Sequence, residues 1–583
     1  MSSQFWMKSY ACFPLFLTTA LSIFLTIANA RNWVYSGTIV GFTQAHRATI
    51  QFVIQILSHI FGFAQTLVLC RVTSYALQLK LNHIPISLNA LQAWSDITAP
   101  RINLSLPFKY FTLTLGFAIF TLVFPALWAG SMTPVATTTF RTSSLSIPSY
   151  ADVSLIKEYP SEVGSTGPFT RTRQGLFGYS VGIQMEGQLI SSGSSATPPD
   201  NGPRLHQKLD NTGFTYVNRS YGVGSSIGLL DGAVTTNNLA LSYSYIEAGY
   251  MAMTACAYNE SSAFVLMNTT DLWVYQAYGE LPDSDAGPEE SAYVGHTMDS
   301  IVALGVAHFA ASPGADPGSE NELQQVVNLR RFIGFAAGSN YDFLDKLQCT
   351  IDFVPTRFIV TVHISGRNIT VSPLPGDASD IEASRNLTNT LMRQFELISN
   401  DETNLYESAI GSAFNASVTD FHTAQAALNK TTDANSSVLV GVQNSLTAMA
   451  DDMLVAYASA QLMVGNISQQ NSIQVEVEAV QFGTAPFIIT LLVLNLMLVA
   501  VVLEEIIRTA FWREMPTFNY TDLRHLIVAA STGGSGISDF VYGDGDNQKA
   551  SANDDMMHQV LGATTIELGR YRGRPALVPG QRR

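Results

Sequence analysis

Charge is scarce in this sequence. Only 13% of its 583 residues are Asp, Glu, Lys or Arg, against about 25% in an ordinary soluble chain. A wholly water-exposed protein is therefore not the simplest reading, and membrane segments are. Cysteine is scarcer still: four in the whole chain exclude a fold stapled together by disulfides. There is no H-E-x-x-H and no Cys/His cluster with metal-ligand spacing, so no metal or other cofactor is implied. Basic residues are few where a large domain has room to fold. Between Ser131 and Ala485, 15 Lys and Arg face 35 Asp and Glu, an excess of 20 negative charges. Nucleic acid is thereby excluded as an expected partner. Solubility of a secreted surface accounts for this charge, and a cation or basic partner is the alternative.

What the chain does have is apolar runs, and they set its organisation. The first, near 11–30, follows Lys8 and carries no charge from Ala11 to Ala28, long enough to cross most of a hydrocarbon core of about 30 Å. Ala28-Asn29-Ala30 also fits a signal-peptidase site, but the run exceeds the usual h-region of about 7 to 15 residues. A retained anchor is expected, with a signal peptide as the alternative. A second run, near 50–70, carries Gln51, Gln55 and His59 at a spacing of four, hence on one helix face. A third lies near 110–130 and a fourth at 486–507, where Pro486 opens the helix and Arg508 and Arg513 mark its inner end. The loop 71–109 has Arg71, Lys80, Arg101 and Lys109 against Asp96 alone, as a cytoplasmic loop does. Its Asn103 sequon should then stay unmodified. Within this loop Val72 to Leu81 and Ile86 to Ile97 have helical spacing.

Between the third and fourth runs lies the only stretch able to bury a sizeable core. It carries nine Asn-x-Ser/Thr sequons, at Asn218, Asn259, Asn268, Asn368, Asn386, Asn415, Asn429, Asn435 and Asn466, so an extracellular, glycosylated domain is expected. The first part, 131–375, reads as strands: Gly175 to Ile190, Phe214 to Val223, Leu239 to Tyr258, Ala263 to Met267, and a hairpin of Phe358 to Ile364 with Ile369 to Ser372. Helices are expected at Met298 to His308 and Glu320 to Phe335. The second part, 376–485, changes period. Ile381, Leu387, Leu391, Phe395 and Ile398, then Ile410 and Phe414, then Val438, Val442, Leu446, Met449 and Met453 define three amphipathic helices, followed by a strand around Ile473 to Val477. Cys256 and Cys349 are the only cysteines of this domain and are expected to pair. Of the others, Cys70 sits at the inner end of a span, as a palmitoylation candidate or, the preferred reading, an inert thiol. The tail 508–583 is rich in Gly, Ser, Asp and Asn and is expected to be disordered. The fold class is thus a membrane protein with four transmembrane helices, or three and a signal peptide, plus an α+β ectodomain.

Three stretches carry a resemblance. Trp128-Ala129-Gly130-Ser131-Met132-Thr133-Pro134 resembles the Trp-Ala-Gly-x-x-Thr-Pro exit of a group of uncharacterised fungal multi-pass membrane proteins with one large glycosylated ectodomain. Thr254 to Asn259 around Cys256 and Cys349 to Phe358 also resemble that group. The resemblance implies the topology and a fungal cell-surface setting, and it carries over no catalytic residue.

Signals of chemistry are weak. Gly224-Ser225-Ser226-Ile227-Gly228 matches the G-x-S-x-G elbow, yet no helical pattern follows and no histidine has triad context, so a Gly/Ser turn is the preferred reading. The face of Gln51, Gln55 and His59 is read as interhelical hydrogen bonding, with Asn495 as one possible partner; an aqueous path is the alternative. The sequence therefore points to a bilayer-embedded protein that works by binding cell-wall polysaccharide or a surface protein. An ecto-hydrolase and a small transport or channel component are the alternatives.

Overall fold

A computed structural model describes residues 2–81, 85–99, 101–149, 169–171, 176–178, 183–210, 212–280, 289–306, 330–376, 405–460, 462–463, 468–510, 565–571 and 574–579, with positions 378, 391–392, 394–395, 398–399, 512, 527 and 531. The chain divides into two compact units, Met1–Thr139 with Glu478–Arg583, and Phe140–Val477.

Among the described residues of the first unit, four helices are long and apolar enough to cross a membrane: Phe13–Ala30 within the helix Ser2–Ala30, then Arg47–Leu81, Phe108–Met132 and Ala485–Arg508. Leu15, Val68, Phe124, Leu498 and Val502 pack where the four meet. The second and third helices approach closely because Gly62 faces Pro125: a Cβ built on Gly62 would stand 2.6 Å from the proline ring. Polarity is inverted relative to a water-soluble bundle. Gln65, Ser58, Thr114 and Asn495 are buried, whereas Phe52, Phe63 and Leu122 are more than 60% exposed.

Two expectations change here. The second helix continues without a break to Leu81, so Val72 to Leu81 is not a separate element, and 35 residues reach about 52 Å. The tail is not without structure. Thr565–Tyr571 and Arg574–Pro579 form an antiparallel hairpin that pairs with the short strand Ile86–Ser87. Ile566 and Leu577 bury against Leu81, Ile86 and Leu91, contacts that a composition average over 508–583 cannot register. Ile86 to Ile97 is otherwise helical as expected, as Leu88–Thr98, with Ser87 Oγ capping Ala90 N–H.

The second unit is built on two long strands, Ala240–Tyr258 and Leu347–His363, paired antiparallel over 17 residues from Leu347↔Tyr258 to His363↔Ser242. The hairpin partner Asn368–Leu374 joins as expected, followed by Thr215–Val217 in parallel and Leu205–Gln207. Ser468–Phe482 flanks Ala240–Tyr258 on the other side. Arg330–Ala337 and Val302–Val306 add to the first half of Leu347–His363. Val265–Asn268, Val274–Gly279 and Glu289–Val294 make a smaller sheet.

Three helices, Ile183–Ser194, Ala409–Ala427 and Ala434–Ala460, pack on one another, and the last also packs on Ala240–Tyr258. Val442, Leu446, Met449 and Met453 share one core with Phe335, Ile351 and Phe353 of the sheet. The division at residue 375 is therefore not a boundary between separate cores. Ser408 Oγ caps Gly411 N–H at 3.1 Å to start the second helix. Gly441 brings the last two together, with Ser417 donating to its carbonyl at 2.8 Å.

Three local expectations are corrected. Of Gly175 to Ile190, only Leu176–Gly178 is strand among the described residues, and Ile183 onward is helix, as Ile183–Ser194. Within Met298 to His308, the described residues form a single 3-10 turn, Met298–Ser300, then the strand Val302–Val306, whose five residues are all buried; 307–308 lie outside the described residues. A short apolar run with both faces covered has no period by which to tell helix from strand. Within Glu320 to Phe335, Arg330 onward is strand, and 320–329 lies outside the described residues. The helix expected from Ile381 is helical at its described positions, with Leu391, Met392, Phe395 and Ile398 buried.

Candidate functional site

The polar chemistry of the second unit gathers along Arg204 to Asp231, a segment that lies against both the sheet and the Ala434–Ala460 helix. That helix contributes two adjacent buried carboxylates, Asp451 and Asp452. Asp451 receives Arg219 bidentately, from Nε at 2.5 Å and Nη2 at 3.0 Å. Arg219 also donates to the Ala252 carbonyl and stacks over the Tyr221 ring at 4.5 Å. Asp452 faces His206 Nδ1 at 3.3 Å and accepts from Ser192 and Ser220. Arg204 donates to Ser192 and Ser195 carbonyls at 2.9 and 3.1 Å.

The two carboxyls shift oppositely. Burial pushes Asp451 up, and Arg219 only partly opposes it. For Asp452 burial is again the largest influence, but His206, Arg204 and Ser192 together outweigh it and hold the carboxyl below its ordinary value. Above this clamp opens a cleft of about 510 Å³, lined by Thr197, Arg204, Asn218, Arg219, Met253, Thr254, Gln443, Asn444 and Thr447 among others, a size suited to a small polar ligand.

The same segment settles the G-x-S-x-G match. Ser225, Ser226 and Ile227 are fully buried. Lys208, itself buried, places its ammonium on Asp210 and on the carbonyls of Ser225 and Ile227 at 2.8 and 2.7 Å, so all three donors are used. Glu247 Oε2 accepts Gly224 N–H at 2.9 Å, and Ser226 Oγ lies 3.3 Å from Tyr245 Oη. Gly224 and Gly228 have φ of 89° and 77°, which glycine adopts without strain. The motif is a buried turn held by ionic groups, not an exposed nucleophile. Burial raises Glu247 to about 7 against the pull of Gly224 N–H, Tyr245 and Lys208.

A second surface feature is aromatic. Trp273, His296 and Tyr406 come together with ring centroids 6.0 Å (Trp273 to His296) and 5.2 Å (His296 to Tyr406) apart. Trp273 is 45% and Tyr406 67% exposed. The backbone beneath is pinned, Gly295 N–H to the Trp273 carbonyl at 3.0 Å and His296 N–H to the Leu405 carbonyl. Trp273 has φ of 67°, costly for a bulky residue and kept where surrounding structure enforces it. Sequence reasoning missed this trio because its members lie far apart in the chain. The available signal was that Trp273 is the only tryptophan between 131 and 485.

No protein family model, curated protein or solved structure matches this chain. Its residues alone carry the functional reading.

Among the polar groups of the apolar helices, the structure selects others than those expected. Gln51, Gln55 and His59 are exposed on the side of the second helix turned away from its neighbours. Gln65, by contrast, is buried; it donates to Asn495 Oδ1 and accepts from Trp128 Nε1 at 3.0 Å. Asn495 is thus an interhelical partner, of Gln65. Cys70 is buried, its thiol 3.6 Å from the Ile97 carbonyl. Cys256 and Cys349 stand opposite each other in the long ladder with their sulfurs at disulfide distance. Asn218, Asn268, Asn415, Asn429 and Asn435 are exposed, Asn259 and Asn368 half-buried, and Asn386 and Asn466 lie outside the described residues.

Proposed function

We propose that this chain is a multi-pass membrane glycoprotein that displays its second unit outside the cell and binds cell-surface polysaccharide through Trp273, His296 and Tyr406. The exposed aromatic trio carries the reading. Ring faces held by a fixed backbone offer flat apolar area at little entropic cost, and the C–H faces of pyranose rings match them while sugar hydroxyls stay in water. Four apolar helices, with Ser58, Gln65, Thr114 and Asn495 turned inward, support placement in a bilayer, and the nine sequons support the outward side for 131–485. The basic loop 71–109 and the tail then lie in the cytoplasm. The resemblance at Trp128 to Pro134 supports a fungal plasma membrane as the setting. The buried Ser226 and the exposed Gln51, Gln55 and His59 give no support to a hydrolase or an ion path.

The test is co-sedimentation of the detergent-solubilised full chain with isolated fungal cell-wall polysaccharide. Saturable binding that survives high salt and falls at least ten-fold in Trp273→Ala and Tyr406→Ala is expected. Binding that disappears once the wall material is stripped of protein by protease would move the reading to a protein partner. Binding indifferent to both substitutions would remove the aromatic trio from it.

A further inference from the structure

The cleft above Asp451 has a sequon on its lip. We infer that the cleft is the seat of the chain's own N-glycan, attached at Asn218, whose first sugars fill it. This rests on the proposed outward placement of 131–485. Asn218-Arg219-Ser220 places an exposed asparagine among the lining residues, and no other described sequon asparagine lines this cleft. Its backbone is held from both sides, N–H to the Arg204 carbonyl at 2.7 Å and carbonyl to His206 Nε2 at 3.1 Å. At φ of 68°, a conformation asparagine tolerates better than most residues, the side chain leaves from a fixed point. Asn259, by contrast, spends its amide on Gln348 at 2.9 Å.

The lining suits an N-acetylhexosamine. Gln443 offers donors and an acceptor for hydroxyl and acetamido groups, Asn444, whose amide nitrogen donates to Thr197 at 2.8 Å, adds its carbonyl oxygen, the outer edge of Arg219 adds further donors, and half-exposed Met253 gives an apolar wall for a ring face. Tethering decides between a free saccharide and the attached one. A sugar linked at the lip is present at an effective concentration in the millimolar range, so it outcompetes a free ligand of similar affinity at lower concentration. The cleft is therefore a structural seat, and recognition is left to the aromatic trio.

The experiment uses the full chain from a yeast secretory host. It is treated with an endoglycosidase under native and denaturing conditions, with release followed site by site by glycopeptide mass spectrometry. Asn218 should lose its glycan at least ten-fold more slowly than Asn268 and Asn415 when native, and at the same rate when denatured. Asn218→Asp, which keeps a residue tolerant of positive φ, should lower the melting temperature by about 3 °C, whereas Asn268→Asp should not. Equal native release at the three sites, or an empty Asn218 beside occupied neighbours, overturns the inference. Absence of glycan from every sequon overturns the outward placement itself.

Discussion

Glu247→Gln should make the protein more stable at pH 8 and leave it nearly unchanged at pH 5. Glu247 is buried in the middle of the longest strand, and burial raises its carboxyl from 4.5 to about 7. Because the folded-state value is the higher one, the folded chain holds a proton between these two values that the unfolded chain has already released. Stability contributed by this group is therefore fully present below about pH 4.5 and declines as pH rises through 7. A difference of about 2.5 pKa units corresponds to roughly 3 kcal/mol, at 1.36 kcal/mol per unit. Glutamine imitates the protonated carboxyl, can still accept Gly224 N–H, and has no charge to bury. The assay is thermal unfolding of wild type and variant in one detergent from pH 4.5 to 8.5, read as the difference between the two curves. Titration of Asp231 and Asp451, which burial also raises, then largely cancels. The difference should grow from near zero at pH 4.5 to several degrees at pH 8. A difference that is flat across this range would refute the reasoning, and a variant less stable than wild type at pH 8 would mean that the ionised carboxylate is a net stabiliser through Lys208.

Other expectations follow from the same geometry. Gln65→Leu should destabilise the apolar helices, and its coupling to Asn495→Leu in a double-mutant cycle should be about 0.6 to 1.7 kcal/mol, the range seen for hydrogen bonds between membrane helices. Gln55→Leu, on the exposed side, should be close to neutral in the same denaturation series. Joining Cys256 to Cys349 closes a loop spanning 93 positions, so Cys256→Ala with Cys349→Ala should cost about 4 to 5 kcal/mol by the chain-entropy relation. Peptide mapping without reductant checks the linkage first. Phe414→Ala, at a fully buried site shared by helix and sheet, should cost about 3 to 5 kcal/mol in chemical unfolding.

Where the sequence was legible, one physical signal acted without competition. Eighteen or more apolar residues with almost no charge have few other structures open to them, and three of the four long helices fall within a few residues of the runs that announce them, while the second continues past its run to Leu81. Val438, Val442, Leu446, Met449 and Met453 repeat at helical spacing and all bury on one face. The Ser365-Gly366-Arg367 turn joins two alternating strands, and the ladder from Arg357↔Leu374 to His363↔Asn368 follows. The failures share a different cause. Ile183–Ser194 contains Gly187, Gly193 and three serines, poor helix formers that tertiary packing overrides; Gly193 sits against Ser445 and Met449. A period of four put Gln51, Gln55 and His59 on one face, but spacing alone does not say whether that face turns toward a neighbour. The answer depended on Gly62 meeting Pro125, which orients the helix and sends Gln65 inward. The aromatic trio depends on long-range topology: Trp273 and His296 flank the paired strands Val274–Gly279 and Glu289–Val294, whereas Tyr406 comes from just before the Ala409–Ala427 helix.

The second helix has a mechanical consequence. Arg47–Leu81 is one uninterrupted rod, and its far end is clasped by the tail hairpin through Leu81, Ile566 and Leu577. A helix resists bending and twisting along its length because each turn is fastened to the next by hydrogen bonds parallel to the axis. The continuous helix thus ties the Arg47 end to the residues that grip the hairpin, about 52 Å away, through one unbroken backbone.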